Sequence, residues 1–190
     1  MPSRAEPGGR RATAAPLGMG LFVLVEAMMF AGFISAYLVV RSSVPQGAWP
    51  PSDQPRLPFG RTAVNTAALL AGGVALWMAG RRFRAGRRTA AGVALGLAGL
   101  LTAAFVLAQG VEWVRLLAQG LTLTSSQLGS FFYLIVGAHA LHALAAVVAL
   151  AAAWLELRAD RLTPGRLGAT QVFCFFVVLL WPLLYWMVYR

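Results

Sequence analysis

Apolar residues in this chain come neither in strict alternation nor in one-faced helical stripes. They come in long blocks that break only at clusters of Pro, Arg or polar residues. Five blocks meet or approach the roughly 20 residues a helix needs to cross a hydrocarbon core about 30 Å thick. They are Leu17 to Val40, Thr62 to Gly80, Thr89 to Leu117, Leu128 to Leu155 and Ala169 to Tyr189. The predicted fold class is all-α: a polytopic bundle of five transmembrane helices over residues 17–190, after a cytoplasmic tail over residues 1–16. The third block is apolar only as far as Ala108, and its last turns, with Gln109, Glu112 and Arg115, are expected to rise into the interface. Between blocks lie a Pro-rich loop (Pro45, Pro50, Pro51, Pro55, Pro58), a basic loop from Arg81 to Arg88, a short uncharged loop, and a mixed loop from Asp160 to Arg166. Arg4, Arg10 and Arg11 ahead of the first block look like the start of a signal peptide. That block spans 24 residues (positions 17 to 40), where a cleavable apolar region has about 7 to 15, so it reads as a retained helix.

Composition supports this reading. Of 190 residues, 59% are hydrophobic and 12% charged, against about a quarter charged in an ordinary soluble domain. Too few polar side chains remain to cover a water-facing surface, whereas lipid accepts apolar ones. All 16 basic residues are Arg, the acids number 6 and the net charge is +10. A nucleic-acid binder shares that balance but not the hydrophobicity. With five spans, the N-terminus and the second and fourth loops share a side. That side holds Arg4, Arg10, Arg11, Arg81, Arg82, Arg84, Arg87, Arg88, Arg158, Arg161 and Arg166, and the other holds Arg41, Arg56, Arg61, Arg115 and Arg190. Arginine excess marks the cytoplasmic face, giving N-terminus in and C-terminus out, with attraction to anionic headgroups. Trp77 and Trp154 close blocks on the inner side, and Trp113, Trp181 and Trp186 lie near outer ends, as in an aromatic belt. Gly72, Gly73, Gly92, Gly96 and Gly99 permit close helix approach. Pro182 frees the carbonyl of Val178 and predicts a bend.

Polar residues inside the blocks are the candidates for chemistry. Glu26 sits roughly 14 Å along the first helix at 1.5 Å per residue, near the bilayer midplane, with Phe22, Met29, Phe30 and Phe33 at helical spacing around it. A carboxyl group at that depth is protonated, hydrogen-bonded within the bundle, beside a bound lipid, or part of a proton path. Gln109 and Glu112 share a face of the third helix, next to Trp113. They suit an interfacial polar cluster with Arg115 or a partner subunit. His139 and His142 are three apart in the fourth helix. Metal or haem ligation is the alternative to a hydrogen-bonded structural pair, but the chain has no other histidine with which facing helices could hold a haem. The single cysteine, Cys174, lies in an apolar run and excludes a disulfide framework or a multi-cysteine zinc site. No nucleophile with a base and orienting acid, and no phosphate-binding Gly loop, is visible.

Read together, these segments resemble subunit III of the haem-copper cytochrome c oxidases. The helix GMGLFVLVEAMMFAGFISAYLVVR carries Leu21, Phe22, Glu26, Phe30, Ala36, Tyr37 and Arg41 of the family's Glu-bearing helix. Asn65-Thr66 followed by Leu69-Leu70 is similar to its NT-x-x-LL helix. FVLAQGVEW resembles its F-x-x-x-Q-x-x-E-[YW] element through Phe105, Gln109, Glu112 and Trp113. GSFFYLIVGAHALHA resembles its G-x-x-F...G-x-H-x-x-H helix through Gly129, Phe132, Gly137, His139 and His142. The last helix, CFFVVLLW, keeps Phe176, Val177 and Trp181 but has Phe175 and Val178 where the usual pattern has His and Asp. The resemblance is to a short five-helix form, as though the first two of the family's seven helices were missing, which preserves the orientation read from the arginines.

The resemblance implies a subunit of the aerobic respiratory chain, in a bacterial inner membrane, with no catalytic, cofactor or metal site of its own. Haem and copper are expected in partner subunits. Subunit I, which reduces oxygen and pumps protons, is the expected main contact, followed by subunit II, other respiratory subunits and membrane lipids including bound phospholipid, but no nucleic acid. Its expected role is to support proton uptake and stability during turnover. Glu26 is then the buried acid near the subunit I interface or a lipid, and Asn65, Gln109, Glu112, His139 and His142 form an intramembrane polar bundle. A nitric oxide reductase accessory protein, a small proton or solute transporter and a haem-binding membrane enzyme are the alternatives.

Overall fold

A computed structural model describes residues 7–45, 55, 57 and 59–189, with side chains from residue 14 onward. The expectations placed on Arg4, Arg56, Arg190, Pro50, Pro51 and Pro58, and on the side chains of Arg10 and Arg11, lie outside the described residues. Five helices follow in order: α1 (Pro7–Ser43), α2 (Phe59–Arg84), α3 (Arg88–Ala118), α4 (Gln127–Arg158) and α5 (Pro164–Tyr189). All five are long and apolar enough to span a membrane, α1 from Ala14 onward, and no strand occurs among the described residues. The protein is therefore an all-α, multi-pass membrane bundle. Every helix outlasts its apolar block, because a helix satisfies its own backbone and continues through the interface until Gly, Pro or a polar turn stops it. Gly86 (φ 73°) closes the tight α2–α3 turn and Gly120 (φ 90°) ends α3, both conformations that glycine adopts without Cβ strain. Ser126 caps α4, its hydroxyl accepting from the Gly129 amide at 3.0 Å.

Helix α2 packs on α3, α3 on α4, α4 on α5 and α5 back on α2, which closes a ring of four; α1 lies outside it, mainly on α5 and with a smaller contact on α4. Helices α2 and α3 make the most extensive contact of the bundle, and Ala75 and Ala79 of α2 and Ala91, Ala94 and Ala98 of α3 are all buried. A Cβ on Gly72 would stand 3.3 Å from Leu101 of α3, and one on Gly73 3.0 Å from Val178 of α5. Small residues thus set the helix spacing where lipid gives no hydrophobic drive for association. Leu69, Leu76, Phe105, Phe132, Ile135, Val177, Trp181 and Leu184 fill the ring. Large apolar side chains also point outward on every helix, with Val64 75%, Leu100 71% and Leu107 71% exposed, as a lipid-facing girdle requires. At the arginine-rich end, the guanidinium groups of Arg81 and Arg158 lie over the rings of Trp77 (4.9 Å) and Trp154 (5.0 Å).

Candidate functional site

Glu26 faces α4, where its Oε2 lies 3.1 Å from Nε2 of His142. The other ring nitrogen of His142, Nδ1, lies 2.8 Å from the Ala138 carbonyl one turn earlier. A carbonyl oxygen only accepts, so Nδ1 carries a hydrogen. The Nε2 to Oε2 contact then holds one proton, either on the carboxyl group or on the imidazole. The result is an acid–base couple joining α1 to α4 across 116 positions of sequence. Both side chains are over four-fifths shielded, and the rings of Phe30 (5.5 Å), Phe173 (6.2 Å) and Phe176 (6.2 Å) surround the imidazole. A carboxyl group in this setting is stabilised by its hydrogen-bond partner, since water is excluded.

The two histidines do not bond to each other, contrary to the pairing their spacing suggested. Positions three apart on a helix diverge by about 60°; that turns His142 toward α1 and His139 into the four-helix ring. His139 is 1% exposed, stacks on Trp181 at 5.0 Å and meets Phe105 edge-on at 6.5 Å. Neither of its ring nitrogens has a hydrogen-bond partner among the described residues.

Asn65 and Gln109 come together as a third arrangement. The Asn65 amide donates to the Phe105 carbonyl (3.1 Å) and to Gln109 Oε1 (2.9 Å), and the Gln109 amide donates to the Tyr189 hydroxyl (3.3 Å). These bonds tie α2, α3 and α5. Glu112 lies one turn further along α3 and belongs to an interfacial ion cluster, 2.6 Å from Arg115 Nη1 and 3.5 Å from Arg61 Nη1. The five residues expected as one polar bundle therefore occupy separate places: His142 with Glu26, which was expected apart from them, Asn65 with Gln109, Glu112 with arginines, and His139 among aromatic rings.

Further contacts escaped the sequence reading. Trp181, expected in the interfacial belt, is buried in the ring, where its Nε1 donates to the Thr66 hydroxyl at 2.8 Å. That hydroxyl in turn donates to the Thr62 carbonyl at 2.7 Å, so Thr66 of the NT-x-x-LL element was the available signal. Buried Gln171 donates to the Leu76 carbonyl at 3.2 Å, and the Tyr37 hydroxyl donates to the Met187 carbonyl at 3.3 Å, tying α1 to α5. Among the described residues no three His, Cys, Asp or Glu side chains gather to hold a metal ion. Cys174 is buried with its thiol free.

A family model of cytochrome c oxidase subunit III matches residues 12–190. The probable cytochrome c oxidase subunit 3 of Nocardia farcinica is 29% identical over 87% of this chain and 82% of its own length. The protein of the same description from Mycobacterium leprae is 31% identical over 91% and 86% respectively. The cytochrome c oxidase subunit 3 of Emericella nidulans is 33% identical over 91% of this chain and 66% of its own length.

Proposed function

The chain belongs to the cytochrome c oxidase subunit III family, and we propose that it is the non-catalytic member of its oxidase, supporting proton uptake and endurance during turnover. It is a subunit III, a multi-pass membrane protein that assembles with other oxidase subunits. On this reading subunit I is its main contact, haem and copper reside in partner subunits, phospholipid fills its outer surface, and the membrane is a bacterial inner membrane with the arginine-rich ends of the helices in the cytoplasm.

The observation that carries the role is the Glu26–His142 contact, because it joins residues from two separate family motifs into one proton-holding pair within the membrane. The pair can keep a proton or exchange it between two atoms 3.1 Å apart, within reach of direct transfer. Helix α1, which presents Glu26, is the least buried span; its outward Leu21, Leu24, Val25 and Met28 offer an apolar face to a neighbouring subunit or lipid.

In Glu26→Ala, a complex that still assembles is expected to reduce oxygen at nearly the wild-type initial rate but to lose activity in fewer turnovers. Oxygen consumption followed from first addition to inactivation measures both. Loss of the initial rate in a fully assembled complex would contradict the supporting role.

A further inference from the structure

A groove of about 690 Å³ runs along the lipid-facing seam of α3 and α4, away from Glu26 and His142. Its floor is Gly92 and Gly96, over which Leu157 and Trp154 of α4 fold; a Cβ on Gly96 would stand 3.3 Å from Trp154 Nε1. Its outer wall is Val93, Leu97 and Leu100, all exposed. At one end stand Arg88, Arg158 and Asp160. The groove runs along α3 from Arg88 to Leu100, a rise of about 18 Å at 1.5 Å per residue, which covers the headgroup level and about half of a hydrocarbon core about 30 Å thick. It is therefore one leaflet deep, apolar along its length and charged at the headgroup level.

The charges at the mouth favour an anion. Asp160 pairs with Arg88 at 2.9 Å. Arg158 has no carboxylate within ion-pair distance among the described residues and rests only on the Trp154 ring. The first turn of α3 also opens here; the Arg88 amide is taken by the Gly86 carbonyl at 3.0 Å, no side chain caps the turn, and the positive end of the helix dipole adds to the attraction for an anion. Basic pockets between transmembrane helices bind anionic headgroups on these terms.

We propose that the α3–α4 groove binds one phospholipid with an anionic headgroup, its phosphate between Arg88 and Arg158 and one acyl chain along Gly92, Gly96 and Leu100. The proposal does not depend on the oxidase reading. The test delipidates the purified protein, with whatever subunits accompany it, in mild detergent. Phosphatidylglycerol or phosphatidylcholine is then added, and retained lipid per chain is counted by native mass spectrometry. One phosphatidylglycerol is expected to stay bound while phosphatidylcholine is lost. The double variant Arg88→Gln/Arg158→Gln is expected to weaken that retention about 25-fold, given about a fivefold contribution from each arginine near a membrane surface. Leu97→Trp alters an exposed side chain at the groove wall, leaves both arginines in place, and is expected to lower retention by obstructing the acyl chain. Equal retention of phosphatidylcholine, or wild-type retention of phosphatidylglycerol by both variants, overturns the proposal.

Discussion

His139 and His142 share a helix and a motif but have opposite surroundings, so substitution separates them. His142→Phe removes the partner of Glu26 and leaves a shielded carboxyl group unsatisfied, a loss of about 1 to 3 kcal/mol. His139→Phe keeps the stacking on Trp181 and Phe105 and deletes two nitrogens that bond to none of the described residues. Thermal unfolding of the purified protein in detergent is expected to show a clear drop for His142→Phe and little change or a gain for His139→Phe. Equal drops would contradict the assignment. Only part of this was legible in the sequence. The depth of Glu26 follows from counting residues along α1, but its partner lies 116 positions away and depends on where α4 meets α1. Spacing on one helix says which residues are near each other, not which neighbour each one turns toward.

Helix number and approximate positions were readable because block length in lipid is nearly a structural measurement. Helix ends and interior hydrogen bonds were not. Turns such as Arg81 to Arg84 are polar yet still helical, and Trp181 near an outer end looked interfacial until its indole met Thr66. The α2–α5 contact shows the same limit. Gly80 reads as a helix end, yet it makes room for the Gln171 amide, which a Cβ at that position would overlap. Gly80→Ala is expected to displace that amide from the Leu76 carbonyl and lower stability by about 1 kcal/mol. In Gln171→Ala the added methyl meets no amide, so the double variant is expected to be more stable than the sum of the two single losses. Additive melting shifts would show that the two residues do not interact. The last family helix departs from its pattern at Val178, which packs against Gly73 at 3.0 Å from the position of a Cβ there. An apolar side chain thus fills the place of the usual carboxylate.

At the scale of the whole molecule, a four-helix ring with one peripheral helix leaves a broad apolar girdle that lipid and partner subunits must cover. Charge asymmetry sets its direction in the membrane. Reporter fusions are expected to place the turn at Arg84–Arg88 in the cytoplasm and the segment at Gln119–Ser126 outside, and the reverse pattern would overturn the proposed orientation. The central claim is membership in an oxidase assembly, and it is tested most directly by mild-detergent purification of the tagged chain with mass spectrometry of the proteins that accompany it. The account predicts stoichiometric recovery of a haem-copper subunit I, and recovery of the chain only as a monomer or homodimer would contradict it.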